Sequence, residues 1–153
     1  MKKYLISTLF LLSGIICYPQ SVKTEPANKI QITYKDILEL RLQVLALQIT
    51  SGTYKSPEKG KVDYSVSIGI SYPKKIVFGI EKEVKNTLSK EAQQNIIEEG
   101  FVFVKRSITE LIRNNYPELN IDYTKDISGF WYLKNGDSPY AKWENDKFLW
   151  INQ

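Results

Sequence analysis

YSVSIGISYPKKIVFGI, residues 64–80, is the stretch on which the fold class turns. Tyr64, Val66, Ile68, Ile70 and Tyr72 alternate with Ser65, Ser67, Gly69 and Ser71, so one side is apolar and the other small and hydroxylated. Successive side chains of a strand point to opposite faces, and this period of two reads as a strand with one buried face. Pro73-Lys74-Lys75 supplies a turn, and Ile76 to Ile80 returns as a second apolar strand. Short connections favour antiparallel neighbours, so the segment is expected to form a hairpin.

Toward the C-terminus the pattern changes period. From Ser89 to Tyr116, Ile97, Phe101, Val104, Ile108 and Leu111 recur at spacings of three and four. That is the core-facing stripe of a long amphipathic helix, ended by Pro117. Gly100 interrupts it at a cost of about 1 kcal/mol relative to Ala; Phe101-Val102-Phe103-Val104 also fits a strand beginning there, but continuity of the stripe across Gly100 favours one helix. Beyond the helix, residues 130–134, 140–144 and 148–151 read as aromatic strands. Asn135-Gly136 and Asn145-Asp146 supply the turns between them, the former being the strongest short hairpin signal.

Toward the N-terminus, Thr33 and Asp36 form a loose capping box, and Ile37 to Ile49 is rich in good helix formers. Gly52 is a suitable stop. Leu38, Leu40, Leu42 and Val44 also alternate with Glu39, Arg41 and Gln43, which is a strand period. On a helix the apolar residues fall into two stripes, with Arg41 and Gln48 between them. Composition favours the helix. The order helix, two strands, helix, three or more strands implies an α+β domain over 33–153, an antiparallel sheet with two helices packed on one face.

Ahead of this domain stand Met1-Lys2-Lys3 and an apolar run from Tyr4 to Tyr18. A short basic region before roughly 7–15 apolar residues is the layout of a secretory signal peptide. A spanning helix needs about 20 predominantly apolar residues. Residues 1–21 are therefore expected to be a cleaved signal and 22–32 a flexible tether, leaving no membrane-spanning segment in the mature chain. Export points to a periplasmic or extracellular location. Cys17, the only cysteine, is a candidate lipidation site, but Ile16 stands where lipoprotein signals carry a small residue. Without Cys17 the mature domain holds no disulfide, and roughly 130 residues suffice to bury one core without such staples.

The inventory of reactive groups is short. The chain has no histidine, which removes the commonest general base, triad partner and transition-metal ligand together. Thiol catalysis and Cys/His zinc sites go with the missing cysteines, and the scattered glycines form no phosphate loop. Lys2 and Lys3 supply two units of the formal net charge of +4, so the mature chain is too weakly basic to suggest a nucleic-acid partner. No cofactor is expected.

Two sets of side chains remain as candidates. Trp131, Tyr140, Trp143 and Trp150 crowd the C-terminal strands with Phe130, Tyr132 and Phe148. One face of those strands must point inward, and the other is the candidate surface for a protein or glycan ligand. Among the carboxylates, Asp122 or Glu144 is the candidate acid of a glycan hydrolase, which needs two carboxyls in one cleft. Lys55, Lys59, Lys61, Lys74 and Lys75 cluster at the hairpin ends, interspersed with Glu58 and Asp63, and read as a solvated loop region. The expectation is an exported, non-enzymatic binding or envelope accessory module. The alternatives are a carboxylate hydrolase and a lipid-anchored envelope component.

Overall fold

In the computed structural model, which describes residues 33–54, 64–71 and 75–151, the first described helix opens on a capping box. Thr33 Oγ1 accepts from the Asp36 N–H at 3.3 Å, and the Asp36 carboxylate accepts from the Thr33 N–H at 2.7 Å. Two of the N–H groups that every helix start leaves without partners are thereby satisfied. The helix, α1, runs Tyr34–Thr50. It stops at Ser51, followed by Gly52 at φ 68°, a left-handed conformation that glycine adopts without strain. Leu38, Leu42, Leu45, Ala46 and Ile49 are buried. Helical spacing, not the local alternation of Leu38, Leu40 and Leu42, decides which residues reach the core.

Among the described residues five strands follow in two groups: β1 (Ser65–Ser71) and β2 (Lys75–Glu81), then β3 (Ile127–Tyr132), β4 (Pro139–Glu144) and β5 (Lys147–Trp150). Between the groups lies α2, Lys90–Asn115, with Ser89 Oγ accepting from the Ala92 N–H at its start and Tyr116 closing it before Pro117. The strands form one sheet in sequence order, β1-β2-β3-β4-β5. The fold is α+β, as expected.

One pairing departs from the expected antiparallel pattern. β1–β2, β3–β4 and β4–β5 are antiparallel, but β2–β3 is parallel, with Phe78 opposite Gly129 and Ile80 opposite Trp131. Parallel neighbours require a long crossover, and α2 provides it. Its 26 residues span roughly 39 Å at 1.5 Å per residue, enough to carry the chain back to the end of the sheet where β2 began.

The registers sort the side chains into two faces. Val66, Ile68 and Ile70 of β1 lie beside Ile80, Phe78 and Ile76 of β2. These lie beside Trp131, Gly129 and Ile127 of β3, and then Ala141 and Trp143 of β4, with Trp150 and Phe148 of β5 at the far edge. This face takes the helices: α1 packs on β1, and α2 on β2 and β3. The opposite face carries Ser65, Ser67, Ser71, Phe130, Tyr132, Lys142 and Leu149.

β1 is an edge strand, and an open edge presents unpaired backbone groups. Thr50, the last residue of α1, covers part of it: its Oγ1 accepts from the Val66 N–H at 2.9 Å. At the other end of the sheet Asn145 and Asp146 have φ of 53° and 57°, the doubly left-handed loop that a tight β4–β5 hairpin demands. Asn135-Gly136 behaves differently. Only Asn135 is left-handed, at φ 62°, while the Gly136 N–H closes the turn onto the Leu133 carbonyl. The β3–β4 connection runs over residues 133–138, longer than a two-residue hairpin loop.

All described residues belong to one compact unit, Ile32–Gln153. The expected signal peptide and tether, Cys17, the turn residues Tyr72 to Lys74, and Lys55, Glu58, Lys59, Lys61 and Asp63 lie outside the described residues. Among the described residues no helix is long and apolar enough to cross a membrane.

Candidate functional site

The four aromatic residues singled out in the sequence fall in three different environments. Trp131 is fully buried. Its indole Nε1 donates to the Lys82 carbonyl at 3.1 Å, and its ring meets Phe101 and Tyr64 edge-on at 5.9 and 5.8 Å. Trp131 is therefore core and takes no part in a contact surface. The reason is register: Trp131 pairs with Ile80 on the helix side of the sheet, where α2 covers it.

Trp143 is half-buried against Phe101 at 5.9 Å, and its Nε1 donates to Asp146 at 3.4 Å. Asp146 also takes hydrogen bonds from Lys105 and Thr124. Burial raises the Asp146 pKa, but the donors around it and the Lys105 charge outweigh that, leaving the pKa below the usual carboxylate value. The network ties the β4–β5 turn to α2 and to the loop before β3. Its geometry accounts for it as a structural clasp.

Tyr140 and Trp150 form a half-exposed ledge. Their rings meet edge-on at 5.2 Å, with Lys90 Nζ 5.5 Å from the first ring and 4.9 Å from the second. The Tyr140 hydroxyl donates to Gln93 Oε1 at 3.1 Å, and Gln93 in turn donates to the Leu88 carbonyl. An aromatic pair beneath an ammonium group can stack on a sugar or accept a cation. Most of this ledge, however, is already spent on holding the start of α2 against β4 and β5.

The carboxylates proposed for acid chemistry both have their pKa lowered from the usual value. Asp122 accepts from the Lys125 and Thr124 N–H groups of its own turn, and the first of these bonds does most to lower its pKa. Glu144 is lowered chiefly by its hydrogen bond from Lys142 at 2.8 Å. A general acid working near neutral pH needs the opposite shift. Among the described residues no group of three or more acidic, His or Cys side chains is placed to hold a metal ion.

The recesses among the described residues include two of contrasting lining. A polar one of about 460 Å³, lined by Ser65, Glu81, Lys82, Glu83 and Lys134, lies where β2 and β3 end. An apolar one of about 190 Å³ lies between the start of α1, β1, β2 and the loop after α2, lined by Tyr34, Leu38, Ile70, Ile76 and Ile121. The first mixes both charge signs, and the second is smaller than an ordinary ligand pocket.

Among the described residues, a row of exposed apolar side chains stands on α1. Ile37, Leu40, Val44 and Leu47 are 42%, 60%, 40% and 68% exposed. At 100° per residue they form one stripe on the side of the helix opposite Leu38, Leu42, Leu45 and Ile49. Scattered exposed apolar residues need no explanation, but a contiguous apolar row marks a contact surface. The sequence carries this signal in its two apolar stripes. Alternation with Glu39, Arg41 and Gln43 obscures it, because the same residues also fit a half-buried strand.

Comparison with known protein families, curated proteins and solved structures finds no match to this chain.

Proposed function

We propose that the chain is an exported, non-enzymatic binding or accessory module that docks a protein surface against the outward face of α1. One observation carries this reading: Ile37, Leu40, Val44 and Leu47 stand exposed in a single row on a helix whose other side is packed on the sheet. A folded helix offering a second apolar stripe presents a preformed knob surface, so a partner helix or groove can dock without the entropic cost of ordering a loop. Export rests on the Lys2-Lys3 and Tyr4–Tyr18 pattern. The absence of histidine from the chain and the lowered pKa of Asp122 and Glu144 favour binding over catalysis.

Covalent footprinting tests the docking role. The α1 row should be labelled weakly in intact cells and strongly in the dilute purified chain; equal labelling in both removes it. Mass spectrometry of the cell-derived N-terminus tests export, with cleavage near Ser21 expected. Retention of a lipidated Cys17 would make the chain an anchored envelope component instead.

The Tyr140–Trp150 ledge beneath Lys90 supports a second reading, in which a glycan stacks on the exposed ring faces. Quenching or enhancement of Trp150 fluorescence by oligosaccharide, lost in Trp150→Phe, is its signature.

A further inference from the structure

The α1 row has a spacing that narrows its occupant. Residues 37, 40, 44 and 47 are separated by three, four and three positions, the a/d repeat of a two-stranded coiled coil carried through one and a half heptads. With Ile37 and Val44 as a and Leu40 and Leu47 as d, β-branched residues fill a and leucine fills d, the choice that favours parallel pairs. The row flanks follow the same frame. Asp36 and Gln43 fall at g, and Arg41 and Gln48 at e.

In a parallel, in-register pair each g residue faces the e residue five positions on in the other helix. Asp36 then faces Arg41 of the second copy, and Gln43 faces Gln48. Opposite charges and hydrogen-bonding amides meet on both sides of the seam. An antiparallel pair instead sets Arg41 against Arg41 and Gln43 against Gln43. Like charges at such positions oppose pairing. Charge therefore selects the parallel arrangement.

Size is consistent with a weak, specific contact. Covering the four apolar side chains and their polar flanks buries on the order of 500 Å² per copy, near the lower end of biological interfaces. A free peptide of this length would not hold a helix. Here the helix is already formed by its packing on β1 and capped at both ends, so association need not drive folding.

Resting on the docking role argued above, we infer that the occupant of the α1 face is a second copy of this chain, joined through a parallel seam of Ile37, Leu40, Val44 and Leu47. Sedimentation of the full chain carrying Cys17→Ser should show about twice the chain mass at concentrations near 100 μM. Leu47→Asp, at an exposed position that folding does not use, should weaken association by about tenfold or more, a loss of 1.4 kcal/mol. In the same background Val44→Cys should cross-link to itself on oxidation much faster than Val102→Cys, since a residues face each other only in the parallel seam. Arg41→Gln should weaken the pair, whereas it would strengthen an antiparallel one. A monomer at this concentration overturns the inference. So does cross-linking of Leu40→Cys with Val44→Cys in preference to self-linking, or partition of the monomer onto anionic vesicles through α1. A monomeric purified chain whose α1 row is nonetheless protected in cells rejects the second copy and leaves the docking role standing with a different protein partner. Loss of protection in cells rejects both.

Discussion

Gly100 in the middle of α2 lies directly against the ring of Trp131: a Cβ built at Gly100 would sit 2.5 Å from Trp131 Cζ3. Trp131 is fully buried and fixed by its hydrogen bond to Lys82, so the ring cannot swing aside. The glycine that weakens the helix locally is what allows α2 to seat on β3. Gly100→Ala should therefore destabilise the domain. Helix propensity improves by about 1 kcal/mol, but overpacking costs about 1–3 kcal/mol, and the rigid neighbour places this site at the upper end. A lower urea midpoint with an unchanged slope is the expected result.

Trp131 and Trp150 should respond differently to the same substitution. Trp131→Phe removes buried volume and leaves the Lys82 carbonyl without its donor, at about 2 kcal/mol or more. Trp150→Phe, at the half-exposed ledge, should cost less than about 1 kcal/mol. Equilibrium denaturation of the two variants side by side checks the assignment of one as core and the other as rim.

The two stripes of α1 predict an asymmetry as well. Leu42 is fully buried, and Leu42→Ala should cost about 2–5 kcal/mol. Leu47→Ala, 68% exposed, should leave the stability of the monomer within about 0.5 kcal/mol. Equal effects at both sites, measured at low protein concentration, would mean that the helix is rotated from the orientation described.

Acid should loosen the β4–β5 clasp. The Asp146 pKa is lowered in the folded chain by Lys105 and Thr124 against the raising effect of burial. A depressed folded pKa contributes stability that is present above the unfolded value, about 3.9, and lost as pH falls through the folded one. Asp146→Asn keeps a residue suited to the left-handed backbone there while removing the charge. Its urea midpoint should fall below the parent's near neutral pH and converge with it as the pH drops below about 4.

The layout of this fold was legible wherever one period dominated. The alternation of 64–72 and the doubly polar turn Asn145-Asp146 name their elements directly, and the stripe from Ile97 to Leu111 does so through its continuity across Gly100. The parallel β2–β3 pair was not legible, because nothing in either strand encodes its neighbour's direction; that follows from the length and path of α2. Trp131 was misplaced as a surface candidate for a related reason. Alternation shows that Trp131 and Phe130 face opposite ways, but only the register against Ile80 tells which way is in. The α1 row was visible as a second apolar stripe, yet a stripe acquires meaning as a surface only when the other side of the helix is seen packed.

The most direct test of the central claim is carbene footprinting of Leu40 and Leu47 in intact cells, with Val102 and Leu149 as exposed apolar controls elsewhere on the domain. A covered α1 face means that Leu40 and Leu47 are labelled several-fold less than in the dilute purified chain while the two controls are unchanged. Labelling of all four residues to the same extent in both settings would show that the face is open in its native surroundings, and would contradict the docking role.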